Sequence, residues 1–270
     1  MQNFENTVGF ITGGAGGIGL GVARAVGLRG MHVILADLDA QNLANSAEAL
    51  SNEGISVATE ILDVTDTDRF ASLADSVFAQ HGKLNFLFNN AGVACPSPPT
   101  GTNFADWRWV IDVNLMGVVR GVELFLQRML DSGEPGYIIN TASLAGHVAS
   151  PEMGSYTATK FAVVGYSESL RMGLADTPID VSVLAPAWVK TRIAHSMRNH
   201  PDKHVAEQSA QSENPIAKVI EQEGISVDEL ASRVIDCMAS KTLHIFSHPE
   251  FWPLVEKRLS RVRTDYAQLL

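Results

Sequence analysis

Tyr156 and Lys160 stand four positions apart in a segment of helical period, Ser155 to Leu174, so both side chains emerge on one face of one helix. A phenol titrates at about pH 10 and is a poor base at neutrality, but an adjacent ammonium stabilises the phenolate and lowers that value. Such a pair makes Tyr156 a general acid/base, able to take the proton of an alcohol as hydride leaves its carbon. Ser143, thirteen residues upstream at the end of a strand, has the hydroxyl to hold the reacting oxygen and share its developing charge. A Tyr and a Lys at this spacing are usually an ordinary surface pair, so the chemistry rests on what surrounds them.

The surroundings begin with Thr12-Gly13-Gly14-Ala15-Gly16-Gly17-Ile18-Gly19, between a strand-like run and a helical one. Glycine lets the backbone turn tightly and approach a ligand, and the opening turn of the helix offers free N–H groups and a positive dipole end to a diphosphate. Gly14, Gly16 and Gly19 meet a GxGxxG spacing, which plain turns also produce. The context is more specific. Asp37 closes the second strand about 20 residues on, where a carboxylate accepts hydrogen bonds from an adenosine ribose. It would repel a 2′-phosphate while binding a free diol, which favours NAD over NADP. No Arg or Lys lies in the glycine loop or just after Asp37, so the local sequence offers no phosphate partner.

The elements that must position these residues follow from periodicity. Val8-Gly9-Phe10-Ile11 and His32-Val33-Ile34-Leu35-Ala36 read as strands, with a helix carrying Ile18, Val22, Ala25 and Val26 between them. Ala40 to Leu50 reads as a helix, Ile55 to Leu62 as a strand ending at Asp63, and Asp66 to Gln80 as a helix. Leu84 to Phe88 is almost wholly apolar, as a strand covered on both faces would be. One long helix is expected from about Asn103 to Leu130, then strands at Tyr137 to Asn140, Asp180 to Leu184 and Leu243 to Phe246. This alternation predicts an α/β fold: a doubly wound parallel sheet of Rossmann type, about seven strands with helices on both faces, in a single domain over residues 1–270. Ala187 to Gly224 is polar and without clean periodicity, and is expected to be a substrate lid. The tail from Pro249 is amphipathic and carries Lys257, Arg258, Arg261 and Arg263, as a solvated helix face would.

With Asn89-Asn90-Ala91-Gly92 after the fourth strand and Tyr156-Thr157-Ala158-Thr159-Lys160 later, the sequence resembles the short-chain dehydrogenase/reductase family over nearly its whole length. The family's TGxxxGxG is met by Thr12, Gly13, Gly17 and Gly19, its YxxxK by Tyr156 and Lys160, its catalytic serine by Ser143 and its catalytic asparagine by Asn114. The resemblance implies that Lys160 also binds the nicotinamide ribose and that Asn114 keeps a water linking Lys160 to solvent. It puts the cofactor against Gly13, Gly17, Ile18, Gly19, Asp37, Leu38, Asp63, Val64, Asn90 and Gly92, and against Pro186, Val189 and Thr191 beside Tyr156 and Lys160. Asp63 and Val64 are expected at the adenine, although an acidic residue before a helix also caps free N–H groups. The family's Pro-Gly after the sixth strand is Pro186-Ala187 here, followed by the bulky Trp188. The chain looks closest to an NAD-preferring branch acting on bulky or aryl alcohols and ketones, and the family commonly forms homodimers or homotetramers through the long helices.

Substrate residues are expected at the ends of the fourth to sixth strands and in the lid: Cys95, Leu144, His147, Met153, Trp188, Ile193 and Met197. Most are apolar, which favours a bulky hydrophobic secondary alcohol, or its ketone, over a sugar. Two alternatives remain open: a 3-oxoacyl-thioester reductase of the same family, served by the basic tail, and a dinucleotide-sensing protein without chemistry. Composition excludes others. Lys and Arg total 20 against 30 Asp and Glu, a formal charge of −10 and the wrong sign for a nucleic-acid partner. No apolar stretch reaches the roughly 18 residues that a bilayer span needs. Two cysteines, Cys95 and Cys237, make neither a disulfide framework nor a thiolate metal site, and no metal is expected. Met1 to Thr7 carry no Lys or Arg, so no leader is expected and the cytoplasm is the expected compartment.

Overall fold

The computed structural model describes residues 4–211 and 214–269. Its centre is a sheet of seven parallel strands in the order β3-β2-β1-β4-β5-β6-β7. These are β1 (Val8–Thr12), β2 (His32–Asp37), β3 (Val57–Ile61), β4 (Phe86–Asn89), β5 (Gly136–Thr141), β6 (Ile179–Ala185) and β7 (His244–Phe246). The inner strands are apolar almost without interruption because both of their faces are covered. On one face α1 (Gly17–Gly27), α2 (Ala40–Asn52) and α9 (Val227–Ser240) pack Val22, Val26, Leu43, Leu50, Leu230 and Val234 against Ile11, Leu35 and Phe88. On the other, α3 (Thr67–His81) and α5 (Gly117–Asp131) bring Phe70, Leu73, Phe125 and Met129 onto Phe10, Ile34 and Ile138. The rings of Phe10 and Phe125 lie 4.9 Å apart there.

Strand order reverses between β1 and β4, which leaves a crevice beyond the carboxyl ends of the strands, where ligands bind open α/β sheets. Register aligns those ends: Thr12 lies beside Ala36, Asp37 beside Ile61, Asn89 beside Asn140, and Thr141 beside Leu184. The seven expected strands are all present, with bounds differing by a few residues.

Three features differ from the sequence reading. The helix expected from about 103 to 130 is two helices, α4 (Phe104–Ile111) and α5, joined by a π turn over Asp112–Met116 in which the Gly117 N–H reaches back to the Asp112 carbonyl. The extra residue shifts the phase of the apolar positions that follow it, a break that the reading of one continuous helix did not separate. The predicted lid is largely helical: a 3₁₀ segment, Ile193–Asn199, then α7 (Lys203–Gln211) and α8 (Pro215–Glu223); its residues 212 and 213 lie outside the described residues. Its two feet are stapled together, with Lys190 N–H bonding to the Ile225 carbonyl and Ile225 N–H to the Trp188 carbonyl, both at 3.0 Å. Helix α9 was not singled out in the sequence; it packs along α1 so closely that a side chain on Gly21 would collide with Val227. The basic tail is α10 (Trp252–Ala267), of which only Val255 is buried.

Candidate active site

Helices α2, α3, α4, α8 and α9 open on capping side chains, Asp39, Asp66, Asn103, Asn214 and Ser226, whereas α1 opens on Gly16 with no side-chain cap. Its first N–H groups therefore face a cleft lined by Gly13, Ala15, Gly16, Gly17 and Ile18. Gly13 and Gly17 have φ of +65° and +52°, a region that favours glycine. Gly19 does not line the cleft; it sits behind it, where a methyl group would overlap the Gly13 carbonyl oxygen and lie 2.8 Å from Asn90 Nδ2. That contact lets α1 approach β1 closely enough to aim its N-terminus into the crevice.

Asp37 is held rather than free. Its Oδ2 accepts the Ala15 N–H and its Oδ1 the Asp39 N–H, both at 3.1 Å, which ties the glycine loop to the end of β2. Asn90 stitches the loop from the other side, donating to the Thr12 and Gly13 carbonyls, while Thr12 Oγ1 receives the Asn90 and Ala91 N–H groups. Asp63 is exposed at the cleft and accepts both the N–H and hydroxyl of Thr65. The cap of α3 is Asp66, accepting the Arg69 N–H, so Asp63 is not the helix cap that its position suggested. Leu38, half exposed, and Val64 complete this end. A cradle with uncapped helical N–H groups, glycine walls and a fixed carboxylate fits an adenine dinucleotide.

At the other end Ser143, Tyr156 and Lys160 line the same cleft. Ser143 stands in extended conformation beyond β5, its Oγ accepting the Ala145 N–H at 3.1 Å and donating to the Pro186 carbonyl at 3.3 Å. Tyr156 and Lys160 share one face of α6 (Gly154–Gly173), with Lys160 Nζ 5.4 Å from the phenol ring centre. That ammonium donates to the Thr141 carbonyl at 2.9 Å and is buried, which brings its pKa down to about 8. The tyrosine differs from the sequence expectation. Burial pushes its phenol up, the neighbouring Ser143 hydroxyl pulls it partly down, and Lys160 in the protein alone does not reverse the balance.

Asn114 is fully buried at the π turn, behind the cleft. Its Oδ1 accepts the Val93 N–H and its Nδ2 donates to the Val93 carbonyl, each at 2.8 Å, so it clamps the loop after β4. Gly92 separates it from Lys160: a methyl on Gly92 would lie 3.3 Å from Asn114 Oδ1 and 3.6 Å from Lys160 Nζ. Pro186, Ala187, Val189 and Thr191 form the wall after β6, and Thr191 stands over Gly17, whose added methyl would touch it at 3.1 Å.

Of the seven expected substrate residues only Ile193 lines the cleft. Cys95 is buried in the core beside Val93, Val110 and Val113, with its thiol pushed up to about 11 by burial. His147 packs against His244 and Phe246, and burial lowers its pKa to about 4. Met197 joins the same core as Cys95, Met153 pairs with Ser97, Leu144 opens the turn after Ser143, and Trp188 is engaged at the foot of the lid. Of these, Cys95 and Met197 join the core, whereas Leu144, His147, Met153 and Trp188 are partly exposed outside the cleft. The cleft is also lined by residues that were not named from the sequence: Val93, Trp109, Val113, Ser196 and Asn199, with Arg192 and Arg198. A signal was present for Arg192 alone, which directly follows Thr191.

Among the described residues no group of three His, Cys, Asp or Glu could hold a metal ion, and no helix is long and apolar enough to cross a membrane. Residues 7–202 match the family model described as short chain dehydrogenase. The chain is 35% identical over 272 residues to the C alpha-dehydrogenase of Sphingobium sp. SYK-6, covering all of this chain and 89% of that one. It is 31% identical over 276 residues to the CLA biosynthesis dehydrogenase/reductase of Lactiplantibacillus plantarum, covering 99% and 96%. Among solved structures, a short-chain dehydrogenase/reductase from Burkholderia phymatum in complex with NAD superposes with a TM-score of 0.91 at 31% identity, over 98% of this chain and 97% of that one.

Proposed function

The chain belongs to the short-chain dehydrogenase/reductase family of oxidoreductases, and from that premise we propose that it transfers hydride between NAD(H) and a bulky hydrophobic secondary alcohol or its ketone. The observation that carries the reading is one cleft holding both an uncapped glycine-rich helix N-terminus beside Asp37 and the trio Ser143, Tyr156 and Lys160. When bound, the nicotinamide accepts or gives the hydride. Gly13, Gly17, Ile18 and Thr191 would hold the dinucleotide, with Asp37 taking the adenosine ribose diol and Leu38, Asp63 and Val64 flanking the adenine.

Tyr156 takes the alcohol proton during oxidation and returns it during reduction. Its pKa is raised in the free protein, so release of the phenolic proton would draw on the positive charge that an oxidised nicotinamide would add to that of the Lys160 ammonium. Ser143 gives up its long bond to the Pro186 carbonyl and donates to the substrate oxygen, while the Ala145 N–H keeps its Oγ in place. Lys160 holds the Thr141 carbonyl and would also hold the nicotinamide ribose hydroxyls. Asn114 acts through Val93 and Gly92 to fix the wall on which Lys160 rests. Val93, Trp109, Val113 and Ile193 give the cleft apolar surface for a bulky substrate. Exposed Phe104, Ile111, Met116 and Met172 on or beside the long helices support pairing into a homodimer or homotetramer.

Tyr156→Phe tests the assignment. It removes one hydroxyl, so melting and NADH binding by fluorescence should be unchanged, while NAD reduction with aryl secondary alcohols falls by about a thousandfold or more. Turnover within tenfold of the wild type would remove Tyr156 from the role of acid/base.

A further inference from the structure

We propose that the lid supplies the cationic wall of the dinucleotide site, with Arg192 standing over the diphosphate from above the glycine loop and Arg198 holding the turn that presents it. The inference rests on the dinucleotide reading above. Its starting point is a deficit: residues 12–19 contain no Lys or Arg, and three carboxylates, Asp37, Asp39 and Asp63, line the same end of the cleft. Helical N–H groups alone would have to hold a doubly charged ligand in that field.

The fold repairs the deficit from 175 residues away in sequence, counting from Gly17 to Arg192. Thr191 stands over Gly17, and a methyl on Gly16 would lie 3.7 Å from Arg192 Nη2, so the Arg192 guanidinium hangs directly above the uncapped start of α1. Arg198, in the last turn of the 3₁₀ segment that follows Arg192, folds back and donates to the carbonyls of Arg192 and His195 at 3.4 and 3.0 Å, which fixes the turn carrying Arg192. Both guanidiniums line the cleft, and among the described residues neither has a carboxylate within ion-pair distance. They face each other and, at longer range, Asp39, while Arg198 also faces Asp37. Two like charges converging on one space without a carboxylate in contact are arranged for an anion that arrives between them.

Position identifies the anion. Gly16, Gly17, Asp37 and Asp39 bound the adenosine-diphosphate half of the cleft, while Ser143 and Tyr156 bound the reacting half, so a substrate carboxylate would not meet Arg192. The lid is locked in the same pose independently of any ligand: Ser196 Oγ accepts the Ala94 N–H at 2.7 Å and donates to its carbonyl at 3.0 Å, and His200 packs on Trp109 with Nε2 3.3 Å from Asp106 Oδ1. The cationic wall is therefore formed before the diphosphate arrives, with Arg192 already over the glycine loop.

The test is a ligand series titrated by calorimetry into the wild type, Arg192→Gln and Arg192→Lys: adenosine, AMP, ADP, NAD and NADP. Arg192 is exposed, so the variants should fold and melt as the wild type does. Loss of a charge-assisted contact should weaken ADP and NAD by roughly tenfold or more in Arg192→Gln and leave adenosine unchanged, with Arg192→Lys recovering part of the loss. Equal ADP affinity in the wild type and Arg192→Gln overturns the clamp while leaving the dinucleotide reading intact. A loss confined to NADP moves Arg192 to the ribose and also overturns it. A wild type that binds neither NAD nor NADP removes the dinucleotide reading, and the clamp with it.

Discussion

Lys160→Met should make this protein more stable at neutral pH while destroying its turnover. The Lys160 ammonium is 3% exposed, has the Thr141 carbonyl at 2.9 Å, and has no carboxylate in ion-pair contact among the described residues. Burial brings its pKa to about 8 from 10.5. At about 1.4 kcal/mol per pH unit, that interval corresponds to roughly 3 kcal/mol. The sign follows from proton counts. Below about pH 8 both states keep the proton and the native state bears the whole cost of a buried charge. Between about 8 and 10.5 the unfolded chain holds a proton that the native state has released, so stability climbs with pH. Above 10.5 the contribution is flat. Methionine keeps much of the stem without the charge, and exchanging a buried charge for an apolar group is often neutral or stabilising. Urea unfolding of cofactor-free wild type and variant should show the variant ahead by up to about 3 kcal/mol at pH 7, with the gap closing toward pH 10.5. A gap independent of pH, or a wild type that is the more stable at pH 7, would refute the reasoning.

Gly19→Ala should abolish dinucleotide binding and lower stability by about 1–3 kcal/mol, because the new methyl overlaps the Gly13 carbonyl; Gly16→Ala, whose methyl meets only Arg192, should melt as the wild type does. Thermal melts and NADH titration read both. Asp37→Ala should narrow the preference for NAD over NADP by about tenfold in kcat/KM, since it removes the repelling carboxylate and leaves Arg192 and Arg198 in place. An unchanged ratio would place the discrimination elsewhere. Ser196→Ala leaves the Ala94 N–H and carbonyl without their partner, about 1–3 kcal/mol of local stability. Hydrogen exchange across 193–199 should accelerate, and equal protection would show that the lid is held by other contacts.

The sheet was legible because each inner strand is apolar on both faces and each crossover has helical period, two signals that need no tertiary information. The glycine loop and the Tyr156–Lys160 pair were legible because turn geometry and i,i+4 spacing are local properties, Asp37 because it closes the second strand, and Ser143 through the family resemblance. The lid was not. Helix α7, Lys203–Gln211, is nine residues long and polar, too short to be stable alone, and takes its shape from the segment Ile193–Asn199 beside it. Arg192 comes to the glycine loop from 175 residues away, and of the expected substrate residues Cys95 and Met197 join the core while His147 packs against His244 and Phe246. Sequence locates side chains along an element; which loop closes over which depends on contacts between distant segments.

The π turn at Asp112–Met116 makes this stretch sensitive to length more than to composition. Each α-helical residue advances the chain by about 100°, so the one extra residue rotates everything after it by about that angle relative to a regular helix. Asn114 meets Val93 on one side of the rotation, and α5 seats Val122, Phe125 and Met129 in the core on the other. Removing any single residue between 112 and 116 would regularise the helix and leave one of these two groups facing the wrong way. An insertion or deletion here therefore forces a choice between the Asn114 clamp on Val93 and the packing of α5 in the core.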